Sequence, residues 1–245
     1  MRIANGVEVL EISTNVMGTT NTIYPTLIYD NDAVILVDAG YPGQLTQFRE
    51  AMEKAGVPFD KLSKVILTHH DIDHIGSLSS IQKESSDRIE VLAHKEEAPY
   101  IQGDAIPTKL AQLEANLDTL PVERKALYEK LKAGFQNSYA PVDGTLSDGE
   151  ELPYCGGITI IYTPGHTPGH ICLYLKQSKT LIAGDIFGVE EGRLVKSPPH
   201  INFDLGLSAK SIKKLTTYDI ETVVCYHGGL YSDNVNGRIA ELAKE

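Results

Sequence analysis

The segment Thr68-His69-His70-Asp71-Ile72-Asp73-His74 (THHDIDH) places three imidazoles and two carboxylates within seven residues. Carboxylates as close as Asp71 and Asp73 repel each other. A shared divalent cation removes that cost, so His69, Asp71, Asp73 and His74 read as metal ligands. In an extended stretch, positions 69, 71 and 73 share one face. His74 then begins a helix continued by Ile75 and Leu78. The same alternation points His70 away from 69 and 71, as a packing or hydrogen-bonding residue.

Short apolar runs rich in Val and Ile surround this segment. They are 33–38, 64–70, 89–94, 158–166, 171–176, 180–185 and 222–227. Runs of this length read as strands covered on both faces. Five end in a carboxylate or imidazole: Asp38, His69, His166, Asp185 and His227. Strand ends at one edge of a layered fold are where sites assemble. His166 follows the tight turn Thr163-Pro164-Gly165, Gly184 lets the backbone approach closely before Asp185, and glycines follow His227.

Helical patterns lie between the strands. Leu45, Phe48, Met52 and Ala55 recur at helical spacing over 43–56, with Gly56 as a stop. Residues 208–219 begin with Ser208 as a cap, and Val235 onward reads as a terminal helix. Residues 104–140 carry no strand signal. Leu110, Leu113, Leu117 and Leu120 predict one helix there, and Pro121 the start of a second. Strands mixed with helices indicate an α/β layered fold, read as a single domain over 1–245 with a helical insert at 104–140.

The bulk numbers set limits. A hydrophobic fraction of 42% and a charged fraction of 22% suit a globular chain, and 245 residues can bury a substantial core. The formal net charge of −11 disfavours a nucleic-acid partner. MRIANGVEVLEIS lacks a basic stretch followed by an apolar run, and no apolar window is long enough to span a membrane. Cys155, Cys172 and Cys225 form no CxxC pair and read as buried free thiols in a reducing compartment. The expected setting is cytoplasmic. Oligomeric state is not legible.

Asp38 in VDAG, the THHDIDH loop, His166 in TPGH, Asp185 in AGD and His227 near the C-terminus together resemble the metallo-β-lactamase superfamily. The resemblance runs from about residue 20 to about 230. It implies a four-layer αββα sandwich with a dinuclear metal site at one edge. It also implies roles: one metal on His69, Asp71 and His166, a second on Asp73, His74 and His227, and Asp185 bridging them. Asp38 would stand behind the ligands, hydrogen-bonded to them.

Position 71 departs from the family pattern. The family's usual loop is HxHxDH, and this chain has HxDxDH. Asp71, Asp73 and Asp185 together bring three negative charges to two divalent ions. A bridging hydroxide makes that cluster neutral, where the usual loop leaves it one unit positive. A more neutral cluster is a weaker Lewis acid, and the added oxygen donor favours Mn or Fe relative to Zn. Zinc remains first because the other ligands suit it.

The resemblance implies a metal-dependent hydrolase. A metal-bound hydroxide, with Asp73 to orient the water and take its proton, would cleave an ester-like bond of a small molecule: a lactone, carboxylic ester or thioester. The alternative is an iron-dependent redox enzyme of the same fold acting on oxygen or persulfides. His170 either hydrogen-bonds Asp73 or a ligand loop, or opens a strand structurally, and His94 reads as structural. The substrate walls are sought in the insert, at Tyr100, Tyr128, Phe135 and Tyr139, and in the loop 197–204, where His200 is a candidate substrate contact.

Overall fold

Along the strand Val34–Val37, Ile35 and Val37 face one apolar cluster while Leu36 faces another. Along Ile158–Tyr162, Ile158 and Ile160 join the first of these clusters and Ile161 a third. Side chains alternate across a strand, so a strand apolar at every position must be covered on both faces. Two such sheets, packed together and each backed by helices, give an αββα sandwich. The computed structural model describes residues 1–16, 18–85 and 88–245.

The first sheet runs, in spatial order, Arg2–Ala4, Val7–Val9, Thr26–Tyr29, Val34–Val37, Lys64–Ile66, Glu90–His94 and Gly144–Leu146. Its last four strands are parallel. The second runs Glu151–Leu152, Ile158–Tyr162, Ile171–Leu175, Thr180–Ile182, Thr222–Cys225 and Gly229–Tyr231, with Thr180–Ile182 parallel to Thr222–Cys225. Ile28, Ile35, Val37 and Ile66 of one sheet meet Ile158, Ile160, Ile171 and Leu173 of the other. Phe48, Met52, Leu78 and Ile81 from helices Leu45–Lys54 and Leu78–Glu84 cover the first sheet. Ile212, Leu215, Ile239 and Leu242 from helices Leu205–Leu215 and Val235–Leu242 cover the second.

Parallel strands joined by helical crossovers end at the same edge of their sheet. That rule brings Asp38 and the 68–74 segment together, and likewise Asp185 and His227.

The structure corrects several local readings. The insert's first helix, Thr108–Glu114, ends early, and a single 3₁₀ turn occupies Leu117–Thr119. The Asn116 amide donates to the Gln112 carbonyl and the Thr119 hydroxyl to the Asn116 carbonyl, closing the chain on itself there. The second helix, Val122–Ser138, follows Pro121 as expected. The helix expected from Ser208 begins at Leu205, because Asp204 accepts the Leu207 N–H at 2.9 Å and is the true cap. Residues 69–73 are not uniformly extended. A short helix spans Ile72–Ile75, so Asp73 projects from a helical turn. Cys172 and Cys225 are buried, whereas Cys155 is only half-buried. Two hairpins escaped the sequence reading: Ile12–Val16 with Thr19–Ile23, and Phe187–Glu190 with Arg193–Lys196.

Ile160 is fully buried between the sheets and Val122 is 78% exposed. Ile160→Ala is expected to lower unfolding stability by about 2–5 kcal/mol in a urea titration. Val122→Ala should change it by about 0.5 kcal/mol or less. Equal effects would contradict the placement of the core.

Candidate metal centre

Three imidazoles at the sandwich edge, His69, His74 and His166, are oriented by the hydrogen bond on the far nitrogen. Asp38, at the end of Val34–Val37, is buried and accepts the Thr68 N–H at 2.8 Å and the Thr68 hydroxyl at 2.8 Å. Its Oδ2 also lies 2.9 Å from His74 Nδ1. With its proton committed to Asp38, the Thr68 hydroxyl is left to accept from His69 Nδ1 at 3.0 Å. Both rings are thereby held with Nε2 facing the same space. Ser197, just past the second hairpin, performs the same service for His166, its hydroxyl lying 3.2 Å from Nδ1.

Seven side chains meet in this space. His69, Asp71, His166 and Asp185 present ligand atoms all within 4.8 Å of one another, and so do Asp73, His74 and His227. In the first group His69 Nε2 is 3.3 Å from Asp71 Oδ2. His166 Nε2 is 2.9 Å from the same oxygen and 3.5 Å from Asp185 Oδ2. In the second, His227 Nε2 lies 3.1 Å from Asp73 Oδ2 and 3.5 Å from Asp185 Oδ2. Asp185 Oδ1 is 3.3 Å from His74 Nε2. Asp185 therefore stands between the groups, with Oδ1 toward His74 and Oδ2 at 3.5 Å from both His166 and His227.

These donors fit a metal. Tetrahedral zinc with bonds of about 2.0–2.1 Å needs donors about 3.3 Å apart, close to the spacing found. His69 Nε2, His74 Nε2 and Asp185 Oδ1 are buried, and none makes a hydrogen bond to any described residue. Buried polar atoms without partners are costly, and three aimed into one space are what a cation would satisfy.

The electrostatics match. Burial works against the charge of Asp71, but Lys109, His166 and His69 outweigh it and hold its carboxyl well below the usual range. Burial likewise opposes the charge of Asp185, and His74 and His227 overcome it. The three carboxylates reverse the effect of burial on His74, whose pKa is raised well above normal by Asp185, Asp38 and Asp73. Asp185 and Asp73 do the same for His227, despite its partial burial, lifting it to about 10. His69 goes the other way: burial and the neighbouring His74 push it well down.

The remaining histidines find places. His170 accepts the Asp185 N–H at 3.0 Å and pairs with the Thr163 hydroxyl at 2.9 Å, so it supports Asp185 and not Asp73. Burial pushes its pKa down to about 3, keeping it neutral. Gly184 is required beside it, since φ there is +51° and a Cβ would lie 2.6 Å from His170 Nε2. Gly228 serves a backbone contact instead of a ligand: a Cβ there would lie 2.1 Å from the Val189 carbonyl. His94 stacks on Tyr162, as a structural residue. His70 is buried against Glu97, which also accepts from the His70 N–H at 2.9 Å, the Thr167 hydroxyl at 2.7 Å and the Gly169 N–H at 2.6 Å.

The expected substrate walls need correction. Tyr128 and Phe135 are buried in the core under the first sheet, Tyr139 packs beside Gly103 and Tyr100 stacks on His70. The insert reaches the centre through Lys109, whose ammonium contacts Asp71 Oδ2 and lies 3.2 Å from His166 Nε2. His200 is exposed on a 3₁₀ turn and does not line the cavity beside the centre. Its neighbours Ser197, Pro198 and Ile201 do, with Phe187, Val189 and Val195. Asp185 and His227 open into that cavity of about 260 Å³. Lys109, Ser197 and Glu97 carry no local sequence signal, because only the tertiary fold places them here.

The family model for the metallo-β-lactamase superfamily matches residues 18–227. The chain belongs to the metallo-β-lactamase superfamily. It is 28% identical over 241 residues to the probable metallo-hydrolase YflN of Bacillus subtilis (strain 168), an alignment covering 91% of this chain and 86% of that protein. It is 25% identical over 147 residues to a hydroxyacylglutathione hydrolase of Rhizobium meliloti (strain 1021), covering 59% of this chain but only 41% of that protein. Among solved structures, a metallo-β-lactamase family protein from Thermus thermophilus superposes with a TM-score of 0.75 at 22% identity, covering 98% of this chain and 79% of that one. Membership makes the chain a metallohydrolase of the αββα fold, and members of this superfamily bind divalent metals, commonly zinc. No described helix is long and apolar enough to cross a membrane.

Two outcomes follow from the hydrogen bonds and charges. Asp38→Asn, which replaces the carboxylate behind His74 with a neutral amide, should weaken zinc binding about 10–100-fold by competition with a chelating dye. The carboxylates raise His74 well above its ordinary value and His227 to about 10, so protons compete with a metal ion for both rings. A metal ion must displace those protons, and affinity therefore falls as pH falls. Calorimetric zinc titrations in buffers of differing ionisation enthalpy should show protons released on loading. Release of none would contradict the raised values.

Proposed function

We propose that this protein is a dinuclear metallohydrolase that cleaves an ester-like bond of a small, partly apolar molecule: a lactone, carboxylic ester or thioester. One observation carries the reading. Asp185 stands between two ligand groups and opens directly into a cavity walled by Phe187, Val189, Val195, Pro198 and Ile201. His69, Asp71 and His166 would hold one ion and Asp73, His74 and His227 the other, with Asp185 bridging and zinc the first candidate.

Such ions supply Lewis acidity and an acidified water. The chain's own groups supply the rest. Asp73 is ionised, since its carboxyl is held below the usual range by His74 and His227 against the effect of burial. Its side chain is 16% exposed, against 8% for Asp185 and 5% for Asp71, which makes it the carboxylate nearest the open side. The Tyr226 hydroxyl donates to the Asp73 carbonyl at 2.7 Å and its ring lies against His74, fixing both residues. The hairpin and the turn after it wall the cavity from one side and hold an apolar arm of the substrate there.

The cavity size limits that arm to a short one. The similarity to a hydroxyacylglutathione hydrolase supports including thioesters, although the alignment reaches less than half of that protein.

A panel of lactones, carboxylic esters and thioesters with graded acyl chains tests the reading. The zinc- or manganese-loaded protein should turn over short-chain members. Asp73→Asn should lower kcat at least about 100-fold, by loss of a proton acceptor. Val195→Trp should raise KM for the longer acyl chains while sparing the shortest. A loaded protein that hydrolyses nothing on the panel, yet consumes oxygen with iron bound, would overturn the reading.

A further inference from the structure

A cation that belongs to the protein reaches into the first metal position. The Lys109 ammonium donates to Asp71 Oδ2 and lies 3.2 Å from His166 Nε2. These are two of the atoms that would hold an ion there. We infer that Lys109 is a built-in competitor for the position formed by His69, Asp71 and His166, so that loading it requires the ammonium to withdraw. The inference rests on the two-position reading above but not on the reaction.

The contact is built into the fold. Lys109 lies in the first turn of the helix Thr108–Glu114. The Thr108 N–H donates to His70 Nε2 at 3.3 Å, and the Thr108 hydroxyl lies 3.2 Å from the same nitrogen. His70 is held in turn by the buried carboxylate of Glu97, which also ties down the loop that carries His166. The residue between 69 and 71 thus anchors the helix that delivers Lys109 to 71 and 166. The lysine side chain is 36% exposed, so the ammonium has a route to water when it is displaced.

Asp71 explains why a lysine belongs there. A buried carboxylate needs a positive partner whether or not a metal is present. A neutral imidazole at position 71 would offer an ammonium no charge to pair with. Lys109 gives Asp71 its partner in the metal-free protein, and a divalent ion takes over that role on loading. The carboxylate at 71 and the lysine at 109 are therefore one device. It keeps an empty position folded and raises the metal concentration needed to fill it.

Zinc titration of metal-stripped protein tests this, with His227→Ala isolating the first position and His166→Ala the second. Adding Lys109→Met to His227→Ala should raise zinc affinity at the first position about tenfold or more. Adding it to His166→Ala should leave the second position unchanged, which also controls for misfolding. Lys109→Arg should retain the weak first position. In an Asp71→His background, Lys109→Met should have no further effect, the mark of a coupled pair. Lys109→Met should also lower the melting temperature of the metal-free protein without lowering that of the loaded one. Unchanged or weaker zinc binding at an occupied first position would overturn the role of Lys109 alone. No zinc in the His227→Ala background, with or without Lys109, would overturn the two-position reading and this inference with it.

Discussion

Three carboxylates, Asp71, Asp73 and Asp185, meet at one edge of the sandwich, and two of them are buried. No fold tolerates that arrangement without positive charge placed against it. The rest of the centre answers this constraint. His74 and His227 are drawn to carry protons, Lys109 reaches in from the insert, and three buried ligand atoms remain without a hydrogen bond to any described residue. A divalent cation meets all of these demands at once, which is why the donors fit a metal better than any hydrogen-bond network they could form among themselves.

The fold supplies the geometry through strand ends. Parallel strands in each sheet terminate on the same side, and the two sheets pack with those sides together. Asp38 and Thr68 link two strand ends of the first sheet, and that link sets the tautomers of His69 and His74. The second sheet contributes Asp185 and His227. The separate hairpin Phe187–Glu190 and Arg193–Lys196, which follows Asp185, supplies both the apolar wall and, through Ser197, the hydrogen bond behind His166. Orientation and enclosure thus come from the same elements.

What was legible in the sequence was local. THHDIDH crowds its chemistry into one turn, and the residues after strands announce themselves by Gly, Asp and His at the end of apolar runs. The layered fold follows from the same runs. What escaped depends on distance in the chain. Lys109 is one lysine among several in a helical stretch, Glu97 a glutamate after a strand, and Ser197 an ordinary loop serine. Only the folded chain brings them to the centre. The aromatic residues of the insert suggest pocket walls from sequence because size and apolarity look alike in a core and in a binding site. Asp204 displaced Ser208 as a helix cap because a carboxylate three residues before Leu207 was in reach of its N–H.

The measurement that bears most directly on this account is elemental analysis of the native protein, purified without chelator or metal-binding tag. The account predicts two equivalents of divalent metal per chain, zinc foremost. A protein that carries no metal as isolated and takes up none from zinc or manganese would contradict it, leaving three crowded carboxylates without the cation on which the whole site is argued to depend.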